Sequence, residues 1–253
     1  MKNEKILLGI VLFILGFTGV LSILTMEISL PEEVMKLLLE KFSPKQIKLL
    51  ILINPTIMLI GAVILGVFLH DKVSLDAPVI KNIIRYKKSP QISSILKYGI
   101  IGGVISGIIL SLIGLIFYPI LPQEFLELGE KLKPTLAARF LYGGFTEEII
   151  IRFGLMTFIV WLISKIFRST NSKIYWISIL IVSVIFGLGH FPIVFQSLSN
   201  PSALLLSYVL IGNSIGGIIF GWLYWKKGLE TAFIAHIFAH IILVLLEPLL
   251  KLA

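Results

Sequence analysis

Two adjacent glutamates, Glu147 and Glu148, and an arginine four residues on, Arg152, stand inside an otherwise apolar stretch. Ionisable groups at membrane depth are expensive and mark function by default. Three histidines occupy similar positions further on: His190, in Phe186-Gly-Leu-Gly-His190-Phe-Pro, and His236 and His240, four residues apart. A carboxyl group in a low-dielectric cavity can take a proton from water and pass it to a leaving amine. Imidazoles can share that base role, donate to a developing oxyanion, or bind a metal. The set points to hydrolysis.

The spacing divides the charges. On a helix, Glu148 and Arg152 (i, i+4) share one face and form an ion pair that lowers the cost of carrying both, a structural role. Glu147 sits about 100° round the helix and is left free for another partner. His236 and His240 project to one side of their helix. The remaining polar residues of the apolar segments have plainer readings. Asn213 reads as interhelical packing and Arg139 as a residue snorkelling from the outer end of its span. His70, beside Asp71, reads as interfacial. The run Gly212 to Gly221 reads as close helix packing rather than phosphate binding. The chain has no cysteine, which excludes a thiol nucleophile and thiolate metal sites. It also lacks His-Glu-x-x-His and Gly-x-Ser-x-Gly, so it is neither an ordinary zincin nor an ordinary serine hydrolase.

The elements that must position these residues are transmembrane helices. Of 253 residues, 57% are hydrophobic, and the mean hydropathy is +1.00. Apolar segments cover roughly 6–26, 48–70, 97–121, 134–165, 173–191, 202–225 and 230–249, each about long enough to cross ~30 Å of hydrocarbon. Strands of an open sheet would leave backbone groups unpaired in lipid. The fold class is therefore an all-α polytopic membrane protein of seven or eight transmembrane helices. The chain reads as one domain, 1–253, with accessory helices in 1–125 and a four-helix core in 134–249. The first apolar run is long for a signal peptide and is read as a retained span.

The net charge of +8 lies mostly between the apolar segments, which reports orientation rather than a nucleic-acid partner. The bases favour a cytoplasmic N-terminus: Lys2, Lys5, Lys72, Lys81, Arg85, Lys88, Lys165, Arg168, Lys226 and Lys227 fall inside, against Lys36, Lys41, Lys45, Lys131, Lys133 and Lys251 outside. Glu27, Glu32 and Glu33 are among the outside acids. The stretch Val79 to Lys88 reads either as an amphipathic helix on the inner leaflet or as a solvated basic loop. In this orientation His190 falls near the outer end of its span and His236 near the inner end of its own. The two meet only if the helices are offset or tilted, or if the orientation is the reverse.

The order Glu147-Glu148-x-x-x-Arg152, Phe186-x-x-x-His190, His236-x-x-x-His240 resembles the three motifs of the CPBP family of intramembrane proteases, which includes the type II CAAX prenyl proteases. Those motifs are Glu-Glu-x-x-x-Arg, Phe-x-x-x-His and His-x-x-x-Asn/Asp, and the resemblance covers about residues 134–245. Gly221-Trp-Leu-Tyr and Gly228-Leu ahead of His236 are similar as well. The resemblance implies a membrane endopeptidase of the cell membrane, acting on prenylated or membrane-embedded substrates near their C-terminus. It implies that Glu147 activates water, that His190 assists, and that His236 stabilises the oxyanion, with Glu148 and Arg152 in support. The last position departs from the pattern, because His240 stands where Asn or Asp is usual. No cofactor is favoured; the alternative is zinc held by Glu147, His190, His236 and His240. The competing functions are a non-catalytic membrane binder, such as a bacteriocin-immunity protein, and a proton-coupled transporter. The chain shows no repeat symmetry of the kind many transporters carry.

Overall fold

The computed structural model describes residues 2–26, 32–87, 92–132, 134–198 and 200–250. Among them, seven helices are long and apolar enough to cross a bilayer: Asn3–Thr25, Pro44–Val73, Ile92–Phe117, Ala138–Phe167, Ser172–Ser197, Ala203–Lys227 and Leu229–Pro248. No strand occurs among the described residues. The chain is an all-α, multi-pass membrane protein. Glu27, Lys88, Lys133 and Lys251, which bear on its orientation, lie outside the described residues.

Most spans are apolar all round, so their faces are sorted by shape rather than by polarity. Gly99, Gly103 and Gly107 repeat every four residues on the third span. A methyl group at any of them would strike the seventh span, at Ile234, Phe238 and Ile242 respectively. Small residues at such intervals let helix backbones approach closely, which matters in lipid because no hydrophobic driving force operates between helices. The fifth and sixth spans use the same device, with Gly187 against Leu210, Gly217 against Ser183 and Gly221 against Ile179. The glycine run of the sixth span is thus a packing surface, as expected.

The fourth span lies at the centre. It is wound as a π-helix over Ala138–Glu147 and Ile149–Met156 and continues as an α-helix over Thr157–Phe167. Wide winding of this kind is rare and is found mostly at functional sites. Its inner side is fixed by the first span, where the Thr146 hydroxyl donates to the Gly16 carbonyl at 2.7 Å. Phe153, Met156 and Val160, each 0% exposed, continue this contact into the main core.

Gly228 alone separates the sixth and seventh spans. Its φ of +98° lies in the region that favours glycine, and a side chain there would also meet Pro78. The segment around Pro78 closes this end of the bundle. The Leu229 amide donates to the Asp76 carbonyl at 2.9 Å, and the Ile80 amide donates to Oε1 of Glu230 at 2.9 Å. Helix Pro78–Ile84 is tied down as well by Lys81, which pairs with Asp71 and Asp76 at 3.1 and 2.9 Å. It is neither a free surface helix nor a solvated loop. His70, at the end of its span, is covered by protein: it is 1% exposed, with Nδ1 3.0 Å from the Leu75 carbonyl.

Candidate active site

Glu148 is fully buried and contacts two partners. Its Oε2 lies 3.2 Å from Nε of Arg152, and its Oε1 lies 2.9 Å from Nδ1 of His236 on the seventh span. The pair with Arg152 matches the i, i+4 expectation. The bond to His236 does not follow from it, so Glu148 is more than half of a self-satisfied pair. A carboxylate can only accept, so Nδ1 carries the proton and Nε2 presents its lone pair.

That lone pair points toward Glu147. Nε2 of His236 is 3.9 Å from Oε2 of Glu147, whose side chain keeps 21% of its surface exposed while that of His236 keeps 8%. One imidazole therefore stands between two carboxylates from adjacent positions of one helix. The π-winding accounts for this, because a wider turn rotates each residue through a smaller angle than an α-helix does. Glu147 and Glu148 consequently diverge less than α-helical spacing implies.

Aromatic rings complete the setting. Arg152, 1% exposed, lies 4.9 Å from the centroid of Phe186 and 5.8 Å from that of Phe220. The guanidinium is held by one carboxylate and two ring faces rather than by hydrogen bonds. Phe220 stacks on His236 at 4.7 Å, and His236 stacks on His240 at 4.9 Å. Gly143 faces both imidazoles: a Cβ there would sit 2.8 Å from Nε2 of His240 and 3.4 Å from Nε2 of His236. Nδ1 of His240 is buried without a hydrogen-bond partner among the described residues.

His190 marks a break in the fifth span, between helices Ser172–Leu188 and Phe191–Ser197. Its Nδ1 donates back to the Phe186 carbonyl at 2.9 Å. The Phe186 ring packs edge-on against His190 at 4.9 Å and against His236 at 6.4 Å. Phe186 thus stands between the two histidines. No hydrogen bond or ion pair joins His190 to Glu147, His236 or His240 among the described residues.

Residues 130–242 match the family model for the Rce1-like type II CAAX prenyl endopeptidases. Through this segment, less than half of its length, the chain is similar to that family. The match runs from just before the fourth span to just beyond His240 and so contains every residue of the site. No curated protein and no solved structure matches the chain.

The residues that would hold zinc, Glu147, His190, His236 and His240, are not drawn together as a metal centre. Zinc needs ligands converging at about 2.0–2.2 Å for nitrogen and oxygen. Glu148 on Nδ1 of His236 leaves Nε2 open, as in a metal-ligating histidine, while the His236 and His240 rings lie stacked, only 20° from parallel. Among the described residues no three His, Asp or Glu side chains are grouped to hold a metal ion. Two other polar residues differ from expectation or refine it. The Asn213 side chain donates to the Val209 carbonyl of its own helix at 2.8 Å instead of bridging helices. Arg139, near its span's end, lies 4.0 Å from Glu247. Sequence reasoning did not single out Phe220 or assign Gly143 its contact with the histidines.

Proposed function

We propose that this Rce1-like chain is an endopeptidase of the cell membrane that hydrolyses a peptide bond near the C-terminus of a prenylated or membrane-embedded substrate, using water activated by Glu147 and no metal. The observation that carries this reading is His236 between two carboxylates, with Nδ1 on Glu148 at 2.9 Å and Nε2 facing Glu147 at 3.9 Å. That second separation is too long for a direct hydrogen bond and suits a shared water.

In this mechanism the water donates one hydrogen bond to Glu147 and one to Nε2 of His236. Its oxygen attacks the scissile carbonyl carbon as Glu147 takes the proton. The tetrahedral intermediate then collapses with cleavage of the C–N bond, and Glu147 returns the proton to the departing amine. Because Nδ1 of His236 holds its proton toward Glu148, His236 orients the water. Donation to the oxyanion falls to His240, whose Nδ1 has no other partner. His190, with Nδ1 committed to Phe186, presents Nε2 as an auxiliary acceptor. Arg152 and Glu148 are positioning residues.

The reading is tested by incubating purified protein in proteoliposomes with a farnesylated C-terminal peptide and with the same peptide unprenylated, and detecting the released fragment by mass spectrometry. Cleavage of the prenylated peptide in preference is the expected result. Failure to cleave any prenylated or membrane-embedded peptide contradicts it.

A further inference from the structure

A cavity of about 460 Å³ opens where the second and fourth spans end and the chain turns into the fifth. This volume lies within the range of about 300–1,000 Å³ typical of small-ligand sites. Lys72, Lys165 and Arg168 line it, with the hydroxyls of Ser164, Ser169 and Thr170 and the indole of Trp161. Arg168 adopts a left-handed backbone conformation, φ 49° and ψ 36°, which turns residues 168–170 over one wall.

The charge here is uncompensated. Several cations elsewhere at this end of the bundle pair with carboxylates: Lys5 with Asp71 at 3.6 Å, Lys81 with Asp76 at 2.9 Å, and Arg85 with Glu4, while Lys226 and Lys227 stack on rings. No carboxylate lines the cavity, and Lys72, Lys165 and Arg168 form no ion pair among the described residues. The Trp161 indole N–H is also buried with no hydrogen-bond partner among the described residues. The fourth span's C-terminus contributes only about half a negative charge, which three cations outweigh. Three cations, an unused N–H donor and the hydroxyls of Ser169 and Thr170 suit a phosphate; the Ser164 hydroxyl donates to the Trp161 carbonyl instead. Beside them, Phe68, Ile166 and Phe167 are 60%, 66% and 69% exposed and offer a face to acyl chains.

We propose that this cavity binds the phosphate headgroup of an anionic phospholipid, with the acyl chains lying along Phe68, Ile166 and Phe167. Basic pockets between transmembrane helices are suited to such headgroups. The site is separate from Glu147 and His236, and the proposal does not depend on the protease reading.

The test measures binding to the purified full chain by thermal unfolding in detergent, titrated with phosphatidylglycerol, phosphatidylcholine or inorganic phosphate. Phosphatidylglycerol stabilises the wild type and phosphatidylcholine does not. Neutralising one cation, as in Lys72→Gln, weakens the apparent affinity about fivefold, and Lys72→Gln/Lys165→Gln/Arg168→Gln weakens it roughly a hundredfold. Trp161→Phe keeps every charge and weakens binding severalfold. Lys226→Gln/Lys227→Gln, which removes cations stacked on Trp225 and Tyr98 instead, binds like the wild type. If the triple variant does not fold, the single variants carry the test. Equal stabilisation by phosphatidylcholine overturns the proposal, as does undiminished binding in the cavity variants. An equal loss on removing Lys226 and Lys227 overturns it too. Binding of inorganic phosphate as tight as that of phosphatidylglycerol overturns the lipid assignment and makes the ligand a soluble phosphate.

Discussion

Glu148 and His236, 88 positions apart in the chain, are joined by a 2.9 Å hydrogen bond from Nδ1 to Oε1. The same carboxylate faces Arg152 at 3.2 Å, so a single buried group ties the fourth span to the seventh and balances the Arg152 guanidinium. The arrangement fixes the tautomer and the ring plane of His236 and leaves Nε2 aimed at Glu147.

Removing this carboxylate has separable consequences. Glu148→Leu strands a buried cation, and breaking such a pair costs about 3–5 kcal/mol. Glu148→Leu/Arg152→Met recovers most of that stability in thermal unfolding but stays inactive, because His236 has lost its acceptor. Glu148→Gln/Arg152→Met is comparably stable and regains part of the activity, since the amide oxygen can still accept from Nδ1. Equal activity of the two double variants would remove the positioning role.

The spans and motif positions were legible in the sequence, but the contacts between spans were not. Runs of apolar residues of bilayer length located all seven helices, and charge in apolar surroundings located Glu147, Glu148, Arg152, His190, His236 and His240. The bond from Glu148 to His236 escaped because it depends on how two helices rotate about their axes. Helices apolar on every side carry no periodic signal for that rotation. The π-winding of Ala138–Glu147 also breaks the 3.6-residue geometry on which face assignments rest. The burial of His70 was not legible because its cover, the turn through Leu75 and the ring of Phe153 at 5.6 Å, comes from segments outside its own span's pattern.

Gly143 gives the site its width. With a Cβ only 2.8 Å from Nε2 of His240, Gly143→Ala must displace a ring already stacked on His236. A displacement of about 1 Å can cost roughly a hundredfold in rate. We expect Gly143→Ala to lose activity on that scale, and Gly143→Val to lose more. Steady-state kinetics on both variants checks this; wild-type rates in Gly143→Val would mean that the rings do not need the space.

His240 stands where Asn or Asp is usual in the resembling motif, and its proposed part is one hydrogen bond to the oxyanion. His240→Asn keeps a donor and should retain activity within roughly tenfold, whereas His240→Leu should lose about 10²–10³-fold in kcat. Comparable activity of the Asn and Leu variants would exclude the donor role.

The proposed water activation uses Glu147 and His236 and needs no metal. Activity should be unchanged after prolonged chelation and dialysis. Loss on chelation, with recovery on adding zinc, would show that the side chains rearrange to bind one.

The proton acceptor is the centre of the account. Glu147→Gln keeps the size and hydrogen-bonding reach of the side chain while removing its basicity, and Glu147 pairs with no buried cation, so the variant should unfold at the wild-type temperature. The most direct measurement is kcat/KM for a farnesylated peptide in proteoliposomes, wild type against Glu147→Gln. The account predicts a fall of roughly 10²–10⁴-fold, the contribution of a positioned general base. Equal cleavage by the two proteins would contradict it.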